Sequence, residues 1–264
     1  MSTLARRTTG GAAFCALTVG LLGATASTAT AGSAALTDPQ RVRVVTVNVD
    51  FGAPASSVRD DFARYSPFAD IVMLQEARDV RLADLVDTDT WIVRQDTTSE
   101  STRGSALAIR RTAVRATDAV TNFRLVKGTD GGPCPDGGIQ TRWIAVADVH
   151  LANGATLVAA SLHMPPPRCA TGPGSLYAVM ADNVVALSNR HPSRLLLGGD
   201  WNKVVTDDPN DISARADGRI VPRGVGIDGF YKPRGLANEP LTTLGDIYGH
   251  HEPVQMAVSV PASF

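Results

Sequence analysis

"RLLLGGDWN", residues 194–202, sets an unbroken aliphatic run against two glycines, a carboxylate, a tryptophan and an amide. Three consecutive leucines bounded by glycine read as a buried strand, and Asp200 and Asn202 fall where that strand must stop. The same design recurs along the chain. Asn48 closes "VRVVTVNV" (42–49), Glu76 closes "IVMLQE" (71–76), and His163 lies at the end of "ATLVAASLHM" (155–164). Asp228 sits in "GIDGFYK" (226–232), and His250-His251 precede "PVQMAVSV" (253–260). A single strand-end Asn or Asp is a turn former that bonds its own backbone, and a single His is a satisfied structural residue. Together they differ: acidic and amide oxygens suit a hard divalent cation, while histidines supply proton transfer near neutral pH. Glu, Asp, two Asn and His gathered at one edge of a pair of sheets form an inventory for phosphoryl transfer.

Outward from these segments, further short β-rich runs appear at "SALAIRR" (105–111) and "WIAVADVHL" (143–151). The last of these pairs with "ATLVAASLH" as a hairpin through Asn153-Gly154, the strongest turn signal in the chain. Helical spacing is rarer. "SSVRDDFARYSPF" (56–68) aligns Val58, Phe62 and Tyr65, and "SLYAVMADNVVALSNRH" (175–191) aligns Leu176, Val179, Met180, Asn183, Val184 and Leu187. Strands at this density with helices between them predict a mixed α/β architecture, two packed sheets with helices outside.

The composition, 44% hydrophobic and 19% charged over 264 residues, is that of an ordinary globular protein. The N-terminus departs from it: Arg6 and Arg7 precede an uncharged apolar run from Gly10 to Ala26, then the small-residue stretch "STATAGSAA". This reads as a secretory signal peptide over residues 1–31, with Ala29 and Ala31 satisfying the small-x-small rule for cleavage. The expected product is a single secreted, extracellular domain, 32–264, from which Cys15 is lost. Cys134 and Cys169 then form an even set in an oxidising compartment, so one disulfide is predicted, with two free thiols the alternative. Losing Arg6 and Arg7 takes the formal charge from −1 to −3. No Lys/Arg run appears, so nucleic-acid binding cannot rest on bulk electrostatics.

The ordered series "TVNVD", "LQEA", "RGSALAIRR", "SLHMP", "GGDWN", "GIDGFY" and "HHEPVQ" resembles the endonuclease/exonuclease/phosphatase superfamily across residues 42–258. The resemblance implies a DNase I-like four-layer α/β sandwich, with two packed, mostly antiparallel sheets flanked by helices. It implies a metal-dependent phosphoric ester hydrolase using Mg²⁺, or Mn²⁺ or another divalent cation. Carried over by position, Asn48 and Glu76 hold the metal side of the site, Glu76 as direct ligand, and His163 contacts the scissile phosphate. Asp200 orients or deprotonates the attacking water with Asn202 beside it. His251 faces the phosphate, and Asp228 fixes its tautomer and favours its protonated form. Where the family has Ser-Asp-His-x-Pro-Val, this chain reads Tyr248-Gly249-His250-His251-Glu252-Pro253-Val254. His250 therefore replaces an acidic residue at the metal side, which implies softer ions, weaker binding or lost activity.

Four functions follow as expectations. The first is a secreted phosphodiesterase acting on nucleic acid, with no stable protein partner implied. The others are a sphingomyelinase-like phospholipid phosphodiesterase, a small-molecule phosphatase, and a non-catalytic binding module. Arg142, before a strand, is a phosphate-binding candidate or a surface residue, and Lys203 is open in the same way. Trp201 is expected in the core or a pocket wall, and Arg110-Arg111 at a solvated strand end.

Overall fold

The inward and outward positions of β1 (Gln40–Asn48) set the layers. Val42 and Val44 face a core shared with the second sheet, while Val45 and Val47 face a separate core beneath α1 (Ala55–Tyr65). This is the period-two alternation of a strand buried on both faces. The computed structural model describes residues 38–95, 104–135, 137–170, 172, 174–249 and 251–264. The predicted signal peptide and His250 lie outside the described residues.

The first sheet runs β13 (Ala237–Asn238), β15 (Val254–Val260), β1, β2 (Ile71–Gln75), β4 (Ala106–Arg110), β3 (Trp91–Arg94), with β14 (Thr242–Thr243) also on β15. The second runs β11 (Ile220–Val225), β12 (Asp228–Pro233), β10 (Leu195–Asp200), β9 (Thr156–His163), β8 (Arg142–His150), β5 (Val120–Thr129). A two-stranded ribbon, β6 (Gly132–Cys134) and β7 (Gly137–Ile139), stands apart. Among the described residues, only β1–β2 and β9–β10 are parallel. A third core joins the outer face of the second sheet to α2 (Leu176–Arg190) and the short α3 (Ile212–Arg215). The order helix, sheet, sheet, helix is the four-layer α/β sandwich expected from the sequence.

Both predicted helices form. α1 buries Val58, Phe62 and Tyr65, with Phe62 edge-on to Tyr65 and Trp91. α2 is capped by the Ser175 hydroxyl, which accepts from the Ala178 N–H at 3.2 Å. Its buried face differs slightly from the predicted one: Tyr177 and Ala181 are buried, whereas Leu176, Val179 and Asn183 lie at its margin. Arg110 does not end in solvent. Its guanidinium lies 4.4 Å from the Trp91 ring centroid and donates to the Ala69 and Ser66 carbonyls.

Along the face between the sheets, polarity rises toward one edge. On β1 the inward series is Val42, Val44, Thr46, Asn48; on β9 it is Leu157, Ala159, Ser161, His163; on β10 it is Leu196, Gly198, Asp200. At the third step a hydrogen-bonded layer crosses the interface. Gln75 Nε2 donates to Ser161 Oγ at 3.0 Å and Thr46 Oγ1 at 3.2 Å, and Ser161 Oγ donates to the Leu74 carbonyl at 2.7 Å. These wholly buried polar groups are thus satisfied rather than stranded.

The glycines of "LLLGGD" serve packing, not turning. A Cβ on Gly198 would stand 2.5 Å from Met73 Sδ and 3.1 Å from Thr46 Cβ on the facing sheet. One on Gly199 would stand 2.4 Å from the Leu162 carbonyl oxygen. The bend follows at Asn202 (φ 52°).

Cys134 and Cys169 form the predicted disulfide, closing a separation of 35 residues and tying the ribbon to the turn after β9. Reducing it is expected to lower stability by roughly 4 kcal/mol on the loop-entropy estimate, read as a fall in urea midpoint with dithiothreitol that Cys169→Ser reproduces. Gly198→Ala meets a movable methionine and is expected to cost about 1–3 kcal/mol. Gly199→Ala meets backbone and is expected to cost more; equal urea midpoints for the two variants would contradict this packing account.

Candidate active site

The C-terminal ends of β1, β2, β9 and β10 and the N-terminal ends of β8, β12 and β15 share one edge of the sandwich. Register places Asp200 opposite both His163 on β9 and Asp228 on β12. Asn48 and Asp200, from opposing sheets, meet directly, with Asn48 Nδ2 donating to Asp200 Oδ2 at 3.1 Å. A cavity of about 360 Å³ opens there, lined by Asn48, Asp50, Glu76, Arg142, His163, Arg168, Asp200, Asn202 and His251.

Two identical local devices aim the strand-end groups. Asn48 Oδ1 accepts the Asp50 N–H at 3.0 Å, and Asp200 Oδ1 accepts the Asn202 N–H at 2.8 Å. In each, the residue two positions on takes a left-handed backbone, φ 65° at Asp50 and 52° at Asn202. These are the turns that a strand-end Asn or Asp makes on its own, so the structural and functional readings of these residues coincide. Glu76 is also left-handed (φ 58°), a conformation costing a non-glycine residue of order 1 kcal/mol or more. Its Oε2 accepts the Phe51 N–H at 2.6 Å.

The two histidines are driven apart electrically. His163 is buried, its Nδ1 accepting from Arg142 Nη1 at 3.0 Å. Burial first, then the Arg142 guanidinium and His251, hold its pKa well below the ordinary value, although Glu76 and Asp200 approach to 3.3 and 3.5 Å. A neutral ring accepting at Nδ1 carries its proton on Nε2. His251 is more open, and its Nδ1 donates to Asp228 Oδ2 at 2.9 Å. That hydrogen bond raises its pKa against the opposing effect of burial. Asp200 is pushed up to about 6 by burial and by Asp228, partly offset by the Asn202 N–H and Asn48 amide.

The donor set fits a divalent cation. Asn48, Glu76 and Asp200 present amide and carboxylate oxygens on one wall, and ligand atoms of Asp200, Asp228 and His251 lie within 4.8 Å of one another. Asp228 Oδ1 is buried with no partner among the described residues. Oxygen-rich, carboxylate-heavy donors of this kind select hard ions.

Asn48, Glu76, Arg142, His163, Asp200, Asn202, Asp228 and His251 all lie at this edge. Arg142 is a cavity wall, not a surface residue; burial lowers its pKa, opposed by Glu76 and Asp200. Lys203 instead lies 4.3 Å from the Tyr177 ring centroid and bonds Asn210 Oδ1 at 3.3 Å. Trp201 is wholly buried, its indole donating to the Gly229 carbonyl at 3.1 Å. The sequence reading passed over Asp50 and Arg168. Asp50 stands inside the quoted "TVNVD"; Arg168 carries no signal beyond its place beside Cys169.

The model of the endonuclease/exonuclease/phosphatase family matches residues 45–251. Among solved structures, the chain is similar to the endonuclease/exonuclease/phosphatase from Bacteroides vulgatus, with 15% identity and TM-score 0.60 over 84% of this chain and 99% of that one. It is similar to the human nocturnin catalytic domain at 15% identity and TM-score 0.55, over 84% and 97%. It is also similar to a 3′ phosphatase from Neisseria bound to product DNA hairpin, at 16% identity and TM-score 0.53, over 81% and 98%. No curated protein matches the chain. With the family model covering most of its length, the chain belongs to the endonuclease/exonuclease/phosphatase family, whose members are phosphoric ester hydrolases.

Proposed function

We propose that this chain is a secreted, divalent-metal-dependent phosphodiesterase that hydrolyses nucleic-acid phosphodiesters by direct attack of water on phosphorus. The observation carrying this reading is the convergence of Asn48, Glu76, His163, Asp200, Asn202 and His251 on one cavity, with Asp228 behind His251. Asn48 and Glu76 would hold the ion, Mg²⁺ in first place and Mn²⁺ in second, and its charge would supply stabilisation for the negative charge developing on the phosphate oxygens. Asp200, poised near neutrality, accepts the proton of the attacking water. Asn202, held by the Met164 carbonyl at 2.9 Å, stands beside it. The neutral His163 offers Nε2–H to a phosphate oxygen, Arg142 adds positive charge on the same wall, and His251, kept protonatable by Asp228, faces the phosphate from the other side.

Nucleic acid as substrate is supported by local charge. The chain's formal charge is −1, yet Arg78, Arg142 and Arg168 gather at the site and its neighbouring cavity. The Neisseria protein of similar fold is bound to DNA. Export is supported by the leader over residues 1–31, with cleavage near Ala31, and by the disulfide.

A second reading, hydrolysis of a phospholipid diester, draws on a different observation. Among the described residues, the exposed large apolar side chains Phe51, Val204 and Tyr248 stand on loops next to site residues, where they can meet a lipid surface.

The protein from Gly32 onward, incubated with plasmid DNA, RNA or sphingomyelin vesicles and Mg²⁺, Mn²⁺, Ca²⁺ or EDTA, separates these readings. Metal-dependent breakdown of nucleic acid is expected, falling about 10²–10⁴-fold in Asp200→Ala and His251→Ala. Intact nucleic acid with release of phosphocholine would transfer the chain to the lipid reading. Hydrolysis that survives EDTA and both substitutions would remove the proposed chemistry.

A further inference from the structure

Beside the catalytic cavity lies a second one of about 290 Å³ that shares with it Glu76, Arg142, His163 and Arg168. Its other walls are Phe51, Arg78, the segment Gly138–Trp143, and Gly104-Ser105. The ribbon end at Gly138-Ile139 is anchored by the disulfide at Cys134, so this wall is pinned.

Three features define what it can hold. First, it runs into the catalytic cavity through Glu76, Arg142, His163 and Arg168, so whatever fills it stands next to the reacting group. Secondly, it carries a planar platform. Phe51 is 50% exposed, and the Arg78 guanidinium lies 3.4 Å from its ring centroid while bonding Gln140 Oε1 across the cleft. Aromatic faces and guanidinium planes are the surfaces on which nucleobases stack. Thirdly, its arginines outnumber its one carboxylate, Glu76, which suits a group attached to a phosphate.

A bare anion would use the arginines and leave the Phe51 face idle; a lipid chain would leave the arginines without an anion. We propose that this cavity is the binding site for the nucleotide next to the scissile phosphate, its base against the Phe51–Arg78 platform and Trp143 in the wall beside it. A cavity of about 290 Å³ has room for one base and not for its Watson–Crick partner, so the substrate presents an unpaired base there. The position of the phosphate rests on the phosphodiesterase reading above; the cavity itself does not.

The test reads binding, without turnover. The chain has three tryptophans, and the indole N–H resonance of Trp143 is the one lost in Trp143→Phe. In EDTA, adenosine monophosphate is expected to shift that resonance saturably, whereas ribose 5-phosphate and inorganic phosphate leave it in place. Phe51→Ala, at an exposed position that folding does not need, is expected to weaken the adenosine monophosphate titration roughly 5- to 150-fold. No shift, an equal shift with ribose 5-phosphate, or an unchanged affinity in Phe51→Ala would each overturn the proposal. Equal cleavage of single-stranded and duplex oligonucleotides would overturn the unpaired-base inference. If the nucleotide titration succeeds and no nucleic acid is hydrolysed, the proposed reaction fails and the cavity assignment stands; nuclease activity without the titration gives the reverse.

Discussion

At Gly198 the two sheets come so close that no side chain fits between them, since a Cβ there would lie 2.5 Å from Met73 Sδ. That contact brings Asn48 on one sheet within hydrogen-bonding distance of Asp200 on the other. Sheets packed face to face ordinarily stand about 10 Å apart with interdigitated side chains between them; here a missing side chain lets two polar groups meet at the rim. On the other face of the same strand, Gly199 leaves room for the Leu162 carbonyl, so β9 lies flush against β10 and His163 comes level with Asp200. One dipeptide thus sets the separation of the sheets and the alignment of His163 with Asp200 at the rim.

Asp200 is the electrical centre of what results. Asn48, His163 and Asn202 bond or approach its carboxylate directly, and Asp228 repels it from the adjoining strand. Burial penalises its charge, and the surrounding N–H groups return only part of that penalty, leaving its pKa raised to about 6. The same desolvation acts on His163, where no donated hydrogen bond offsets it, while Asp228 reverses its effect at His251. Two imidazoles in one cleft therefore have their pKa values moved in opposite directions, one lowered by burial and a guanidinium, the other raised by a carboxylate.

The residues gathered at this edge were legible in the sequence because they flank short apolar runs that can be read directly as strands. What was not legible has a common physical cause. β3, β5 and β11 went unrecognised because they mix charged and apolar residues; β5 is half exposed, with irregular register against β8. The packing role of the glycines in "LLLGGD" was hidden because a sequence discloses a missing side chain but not the atom that would have struck it. The second cavity escaped altogether. Phe51 and Arg78 stack across 27 positions, and Trp143 comes from yet another strand, a juxtaposition no local period encodes. The disulfide needed only the parity of the cysteines, whereas its place in the wall of a binding cavity required the fold.

The hydrogen-bonded layer of Thr46, Gln75 and Ser161 divides the space between the sheets into an oily half and a reactive half. Beyond it, the aliphatic residues touch only one another, and their constraint is total volume, which many combinations meet. On the near side, geometry is fixed atom by atom. Change can therefore accumulate in the first half without reaching the second, so the protein's history is free to rewrite most of its interior while the chemistry stays put. A shared fold at 15% identity is the outcome such a partition permits.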